Sequence, residues 1–299
     1  MFENQVVILN KGDYTTCAVN LKGATITSWR IENEEQIFLG RRTELSYVGI
    51  TRGGISLAFP RHEKWSIGRK HGFARDMLWK LETGPTCNKN GDVFAEFSLS
   101  SDAFTESLWS SQFSILCRIT LRERQLEIKL TIENLSKEFP MDFNCMHHAY
   151  FKVPDVAKCK IRGLKNCRYF HNQDPEKNMF TELRNEVTIS QYTDILYQRI
   201  SKEMYLDKTG DWEKVLKITK TNLPDMVLWN PWQEMAKTLI GLDEDEYKYF
   251  VALDLGIIAN RMYLKPQTYF RSTQTYELIE PQNYHRQDDD SYDYFEGIC

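Results

Sequence analysis

The sequence predicts an all-β protein, a large antiparallel β-sandwich with few short helices, and three observations support this prediction. Short segments in which apolar and polar residues alternate recur along the chain, as expected for strands with one buried face. Glycine, asparagine, aspartate and proline, which favour turns, separate these segments. No regular alternation of strands with helices is visible, which disfavours a Rossmann or TIM-barrel architecture.

The strand-like segments can be followed along the chain. "CAVNL" and "ATITSWR" lie near the start, and "DVFAEFSLS" and "FSILCRITL" come next. "KVLKITKTN" and "YKYFVALDL" lie further on, and the one candidate helix, "WQEMAKTLIGL" after Pro231, is short. The clearest strand is "QLEIKLTIEN", in which polar residues alternate with four apolar ones in the period-2 pattern of a half-buried strand: Leu126, Ile128, Leu130 and Ile132.

Composition indicates a globular protein without a strongly basic surface. The chain has 299 residues, of which 41% are hydrophobic and 27% charged, and its net charge is −4. A chain of this length can bury a sizeable core, and the slightly acidic balance argues against a nucleic-acid partner. Because no internal repeat or low-complexity linker is visible, residues 1–280 are predicted to form one β domain. The acidic residues 281–299 are predicted to be a solvated tail.

Targeting signals and cysteine spacing bear on the compartment. The start of the chain lacks the regions of a signal peptide, and no segment has the roughly 18 apolar residues of a membrane span. The seven cysteines are scattered and include no CxxC pair, which is typical of reduced thiols rather than of disulfides or structural zinc. We therefore expect a cytoplasmic protein with no membrane partner. No apolar seam is obvious, so a monomer is expected.

Four stretches concentrate polar residues that could carry chemistry. Gly53 and Gly54 permit unusual backbone angles or the close approach of a ligand, although glycine pairs are usually turns. In a strand, His147 and His148 point to opposite faces, so at most one can face a shared site. Asp254 lies between leucines, and burying a carboxylate costs several kcal/mol unless it is paired, so we expect it to have a partner or a function. The other candidates are Arg52, Arg61, Lys70, His71 and Arg75.

Three kinds of chemistry could use these side chains. Nucleophilic catalysis has no GxSxG turn and no activated cysteine to support it. General acid–base catalysis needs only a histidine and a carboxylate beside a polar substrate, and His148 with Asp254 would supply them. Arginines near glycine-rich backbone suit an anionic group such as a phosphate. The histidines available to a metal lack HxH or HExxH spacing; they are His62, His71, His147 and His148.

Taken together, the motifs resemble the aldose 1-epimerase superfamily, and within it the glucose-6-phosphate 1-epimerase (hexose-6-phosphate mutarotase) branch. "RGGISLAFPR", "KHGFARDMLW" and "HAYFKV" are similar to stretches of that branch, as are "TDILYQ", "VLWNPW" and "YKYFVALDLG". "GATITSWR" and "LKPQTYFRSTQTYEL" fit as well, so the matches run in order from Leu21 to Leu278. The motifs of the galactose-mutarotase branch are not visible.

The resemblance implies a galactose mutarotase-like sandwich whose concave sheet holds a sugar. It also implies an isomerase that interconverts the α and β anomers of a hexose 6-phosphate without a metal or other cofactor. His148 would be the general acid at the ring oxygen and Asp254 the base, while His71 would bond the sugar near the reacting centre. The residues that would hold sugar hydroxyls, bind the phosphate or line the pocket are Asp194, Arg52, Arg75 and Trp229.

Three positions depart from the family pattern. Asp254 stands where the family has glutamate, and it is shorter by one methylene, which withdraws the carboxylate by roughly 1.5 Å. A displacement of about 1 Å can cost on the order of 10²-fold in rate. A weak or inactive relative that binds a sugar or sugar phosphate is therefore the alternative. Ser56 replaces a proline, and Lys70 replaces a glutamine and would make the substrate site more basic if it faces inward.

Overall fold

The computed structural model describes residues 5–12, 14–43, 51–62 and 70–279, which form two antiparallel sheets packed face to face. The predicted all-β sandwich is confirmed. The strands are β1 (Val6–Asn10), β2 (Thr16–Asn20), β3 (Thr25–Ile31), β4 (Glu34–Glu35), β5 (Ile55–Ala58), β6 (Lys80–Cys87), β7 (Val93–Ser100), β8 (Phe113–Leu121), β9 (Gln125–Asn134), β10 (Met141–Lys152), β11 (Lys160–Arg162), β12 (Arg168–His171), β13 (Phe180–Thr181), β14 (Thr193–Gln198), β15 (Glu203–Asp207), β16 (Val215–Thr221), β17 (Asp225–Asn230), β18 (Phe250–Leu264) and β19 (Tyr269–Ile279).

The larger sheet, which we call the site sheet, has eleven strands. Its order is β1-β2-β3-β5-β10-β18-β17-β14-β12-β13, with β4 paired to β3. The back sheet has eight strands in the order β11-β15-β16-β19-β9-β8-β7-β6. Strands distant in sequence are neighbours in both sheets, so the sheets can form only when long-range contacts form.

The main core lies between the two sheets. Inward side chains of both sheets belong to one buried cluster, to which the site sheet contributes Phe143 and Phe151. In β9 the four residues predicted to be buried are at most 2% exposed, and they are Leu126, Ile128, Leu130 and Ile132. The period-2 pattern therefore identified the buried face of this strand correctly.

The described residues include two short α-helices and three 3₁₀ turns. The helix expected after Pro231 is present as α2 (Trp232–Ala236), while α1 (Ala103–Leu108) was not expected. Asp102 caps α1 by accepting the Thr105 N–H, and the Thr105 hydroxyl oxygen accepts the Asp102 N–H. The 3₁₀ turns span Ala74–Asp76, Val156–Lys158 and Glu246–Tyr249. The last of these turns occupies the start of the segment "YKYFVALDL", so β18 begins only at Phe250.

Side chains of β10 alternate between the core and the opposite surface of the site sheet, which we call the outer face. His147, Ala149 and Phe151 are at most 6% exposed and point toward the back sheet. His148 and Tyr150 therefore point to the outer face. The prediction that the two adjacent histidines face opposite sides is confirmed.

Strand pairing brings distant residues together on the outer face. Tyr150 of β10 pairs with Ala252 of β18, so His148, two residues earlier, lies across from Asp254, two residues later. On the other side of β10, His148 pairs with Ser56 of β5. His148 therefore lies between β5, which begins within the "RGGI" motif, and β18, which contains the "VALDLG" motif.

No helix within the described ranges is both long and apolar enough to cross a membrane. The predicted acidic tail, residues 281–299, lies outside the described residues.

Gly72 is expected to be indispensable for the turn that follows His71. Its φ is +71°, and a Cβ there would lie 2.1 Å from the Phe59 carbonyl oxygen. Gly72→Ala should therefore combine backbone strain of about 1–3 kcal/mol with displacement of the Phe59 backbone. Urea denaturation should show a clear loss of unfolding free energy.

Gly12→Ala is the matched control for this prediction. Gly12 also has a positive φ, +86°, but no atom of the described, non-adjacent residues lies within 4 Å of its Cβ position. Gly12→Ala should therefore lower the free energy of unfolding only by the backbone strain, about 1 kcal/mol. Equal losses in the two variants would contradict a steric role for Gly72.

Candidate active site

A buried histidine–carboxylate pair forms the centre of the candidate site. His148 Nδ1 lies 2.8 Å from Asp254 Oδ2, and the Ala149 N–H donates to Asp254 Oδ1 at 3.0 Å. Asp254 is only 4% exposed. A carboxylate so buried needs partners because its desolvation is otherwise costly. Asp254 therefore has the kind of partner that its sequence context predicted.

His71 packs edge-on against His148. The ring centroids are 4.4 Å apart and the planes meet at 85°. Burial lowers the pKa of His71, and electrostatic interactions with His148, Arg75 and Lys70 lower it further, so its imidazole is neutral near pH 7. Two buried ring nitrogens, His71 Nδ1 and His148 Nε2, lack a hydrogen-bond partner among the described residues. Such atoms are suited to bind a polar ligand.

The Gly53–Gly54 pair serves the backbone that leads into β5. The φ angles are +108° and +76°, in the region that favours glycine. Cβ atoms at the two positions would lie 2.3 Å from the Phe38 carbonyl oxygen and 2.6 Å from the Ile26 carbonyl oxygen. The sequence suggested that these glycines allow unusual backbone angles or close approach of a ligand. Their φ angles are unusual, and the groups that approach them closely are backbone carbonyls of the protein itself.

Arg52, which precedes these glycines, is tied to the loop after α2. Its Nε donates to the Ile240 carbonyl oxygen at 3.0 Å. The buried Glu246 joins the two neighbouring loops, because it accepts the Arg41 N–H at 2.9 Å and the Asp243 N–H at 2.8 Å. These contacts fix where the backbone presents Arg52.

Two further cations follow in the stretch around His71. Arg75 lies in the 3₁₀ turn and donates to the Lys70 carbonyl oxygen at 3.2 Å. Lys70 lies in a turn rather than in a strand, and its side chain is exposed. Its charge lowers the pKa of both His71 and Asp194. Lys70 therefore contributes positive charge to the space between these two residues.

Asp194 and Trp229 occupy neighbouring strands on the outer face. They are cross-strand partners in β14 and β17. Burial raises the pKa of Asp194, although its carboxylate accepts the Asn172 amide at 2.6 Å and the Tyr192 hydroxyl at 3.3 Å. The Trp229 ring contacts Tyr150, with centroids 5.9 Å apart. Asn172 and Tyr192 were not singled out from the sequence, and only the fold brings Asn172 to Asp194.

Tyr150 is a site residue that sequence reasoning missed. Burial and the charge of Asp254 together raise its pKa to about 12, while the charges of Arg52 and Arg75 oppose this rise. Its hydroxyl thus lies in the combined field of Asp254, Arg52 and Arg75. The signal was available, because Tyr150 follows His148 by two residues and must share its face of the strand.

Arg61, by contrast, is not free to join this group. Its guanidinium donates to the Asp142 carbonyl oxygen at 2.7 Å and lies 3.3 Å from the Asp142 carboxylate. Within the described segments, no group of three or more His, Cys, Asp or Glu side chains is arranged to hold a metal ion.

His147 is expected to make the protein sensitive to acid. Burial, assisted by the electrostatic interaction with His148, lowers the pKa of His147 to about 3, whereas an unfolded histidine titrates near 6.5. The unfolded state therefore binds more protons between these values, and stability falls as the pH drops from about 6.5 toward 3. Between pH 7 and pH 4, His147→Met should remove about 3 kcal/mol of that pH dependence.

Urea denaturation at pH 7 and pH 4 would measure the effect. The exposed His171 provides the matched substitution, and His171→Met should leave the pH dependence of the parent chain unchanged. An equal pH dependence in His147→Met and the parent would contradict this role for His147.

The comparisons with known proteins agree with the fold and the motifs. A family model described as "Aldose 1-epimerase" matches residues 5–277. A relative from Cenchrus ciliaris, described as "Putative glucose-6-phosphate 1-epimerase", is 27% identical over 267 residues, covering 87% of this chain and 80% of the relative.

Two solved structures share the architecture. One, from Salmonella typhimurium and described as "a putative mutarotase", has a TM-score of 0.79 and 22% identity, covering 89% of this chain and 88% of the other. The second, a "galactose mutarotase related enzyme" from Lactobacillus acidophilus, has a TM-score of 0.74 and 14% identity, covering 92% and 98%. At these identities the two structures show the shared fold alone.

Proposed function

The chain belongs to the aldose 1-epimerase family, and from that premise we propose that it interconverts the α and β anomers of a hexose 6-phosphate, with glucose 6-phosphate as the preferred substrate. Family membership makes the protein an isomerase of carbohydrate metabolism that binds a sugar. The name of the Cenchrus ciliaris relative supports the choice of a phosphorylated glucose.

One observation carries the proposal. The buried pair of His148 and Asp254 and three cations interact electrostatically with Tyr150 and His71 at the outer face. Asp254, Arg52 and Arg75 all shift the pKa of Tyr150. His148, Arg75 and Lys70 all shift the pKa of His71. An acid–base pair beside a positive wall suits a neutral ring with a dianionic substituent. The groups that interact electrostatically in these two sets are Tyr150, His71, His148, Asp254, Arg52, Arg75 and Lys70.

The chemistry requires proton transfer at two oxygens of one carbon. The anomeric hydroxyl loses a proton, the C1–O5 bond breaks, and O5 gains a proton to leave an open-chain aldehyde. Rotation about the C1–C2 bond and reclosure then yield the other anomer. Positioned acid–base groups typically accelerate such steps by about 10²–10⁴-fold, and the hydrogen-bonded pair of His148 and Asp254 is proposed to supply this catalysis.

The remaining side chains are proposed to bind the substrate. Asp194, already held by Asn172 and Tyr192, would accept hydrogen bonds from sugar hydroxyls. Trp229 would form an apolar wall against the ring, and His71 would bond the sugar beside His148. The phosphate would bind Arg52, Arg75 and Lys70, because guanidinium and ammonium groups favour its oxygens.

Exchange NMR tests this function directly. The α–β exchange rate would be measured for glucose 6-phosphate, glucose and galactose with and without micromolar protein. We expect acceleration that is largest for glucose 6-phosphate. Acceleration of glucose or galactose alone would contradict the phosphate specificity. Binding of glucose 6-phosphate by calorimetry without any acceleration would contradict the enzyme and favour a binding protein.

A further inference from the structure

We propose that Asp254 is a positioning residue that acts through His148, and that His148 Nε2 is the atom that exchanges the proton with the sugar. This inference depends on the proposed function for its substrate, but the geometry that supports it does not. It differs from the roles implied by the family resemblance, in which the carboxylate itself takes the proton of the anomeric hydroxyl.

The first support is that both oxygens of the Asp254 carboxylate already have partners. Oδ2 lies 2.8 Å from His148 Nδ1, and Oδ1 accepts the Ala149 N–H at 3.0 Å. The residue is 4% exposed. A general base must come within hydrogen-bond distance of the proton it removes. Both Asp254 oxygens are instead hydrogen-bonded to groups of β10.

The second support is the short reach of aspartate from its place in β18. Strand register sets His148 directly across from Asp254, since Tyr150 pairs with Ala252. A side chain with one more methylene would carry its carboxylate roughly 1.5 Å further from the backbone. The shorter side chain ends at the near nitrogen of the His148 ring.

The third support is the state of the His148 ring. A carboxylate accepts hydrogen bonds, so the 2.8 Å contact places a proton on Nδ1. When a ring with this proton on Nδ1 is uncharged, its lone pair is on Nε2. That nitrogen is buried and has no hydrogen-bond partner among the described residues. The edge-on contact with His71, at 4.4 Å between centroids, further limits rotation of the ring.

These features describe a single group that can receive and return the proton. Nε2 takes the proton of the anomeric hydroxyl, the O–H electron pair forms the C1 carbonyl, and the C1–O5 pair moves to O5. The imidazolium then gives the same proton from Nε2 to O5. His148 is unchanged at the end, and Asp254 remains ionised and stabilises the imidazolium while it exists.

The tautomer of His148 is the decisive observable, and it can be measured without substrate. Two-bond ¹H–¹⁵N spectra of the full chain with labelled histidine, at a pH where His148 is neutral, should show the Nδ1–H tautomer. A parent protein with the proton on Nε2 would overturn the inference. Because this readout is independent of turnover, failure of the hexose-phosphate assay leaves it intact, and its own failure leaves the assay intact.

Asp254→Asn keeps the size of the side chain and should reverse the tautomer. Its amide oxygen can satisfy the Ala149 N–H, and its amide nitrogen then faces Nδ1, which becomes an acceptor. The proton should move to Nε2, and kcat should fall by about 10²–10⁴-fold while KM changes less than about threefold, an expectation for an interaction made only in the transition state. Retention of the Nδ1–H tautomer in this variant would overturn the inference.

Asp254→Glu separates positioning from direct base catalysis. If Asp254 acts through His148, the longer side chain should disturb the Nδ1 contact and lower kcat. A tenfold or greater gain in kcat would mean that the carboxylate itself must reach the sugar, and would overturn the inference. Far-UV circular dichroism and thermal unfolding of both variants would establish that each is folded before the rates are compared.

Discussion

His148→Asn is expected to slow the exchange of glucose 6-phosphate anomers by about 10²–10⁴-fold. The substitution removes Nε2, a buried nitrogen for which the described residues offer no hydrogen-bond partner. Asparagine is chosen because its amide can still donate to Asp254, which would otherwise lose the 2.8 Å contact and about 1–3 kcal/mol of stability. Exchange NMR at saturating substrate would measure the loss in kcat.

Two outcomes would decide whether the loss is specific to His148. His171→Asn replaces an exposed histidine of β12 and should leave the exchange rate unchanged. A His148→Asn protein that retains more than a tenth of the parent rate, while folded by circular dichroism, would contradict a catalytic role for His148.

The double variant Arg52→Gln with Arg75→Gln is expected to lower kcat/KM for glucose 6-phosphate by roughly 10²–10⁴-fold. Each lost hydrogen bond between a charged donor and a phosphate costs about 1.5–3 kcal/mol, and the two losses are proposed to act on the same phosphate. The value for unphosphorylated glucose should change less than about threefold, because that sugar offers no phosphate. Exchange rates over a range of substrate concentrations would supply both constants.

The matched control for charge removal is Arg271→Gln. Arg271 lies in β19 of the back sheet and is exposed, so neither sugar should respond to its loss. Parallel losses for glucose and glucose 6-phosphate in the double variant would contradict phosphate binding and would indicate that the two arginines hold the pocket itself.

Part of the fold was predictable because strand alternation is a local property. The period of two places successive side chains on opposite faces of any strand, and β9 and β10 follow it closely. The opposite orientation of His147 and His148 therefore required no knowledge of the partner strands. Tyr150 was missed even though the same rule places it beside His148.

Other features could not be predicted in this way. The 3₁₀ turn Glu246–Tyr249 interrupts a segment whose composition favours a strand, because Glu246 is buried and joins two loops. The helix α1 depends on a cap of two residues, Asp102 and Thr105, which is a weak signal in a single sequence. Asn172 reaches Asp194 only through the pairing of β12 with β14.

By itself the sequence determined the all-β class, the buried face of its clearest strand, and the residue types available for acid–base and anion chemistry. Each of these depends on neighbours within a few residues, through side-chain alternation and backbone freedom. Only the tertiary structure decided that Asp254 meets His148 Nδ1 and that Nε2 has no hydrogen-bond partner in the described part of the chain. That contact joins residues 106 positions apart, and it exists because the register of β10 against β18 is set by packing across the whole sandwich.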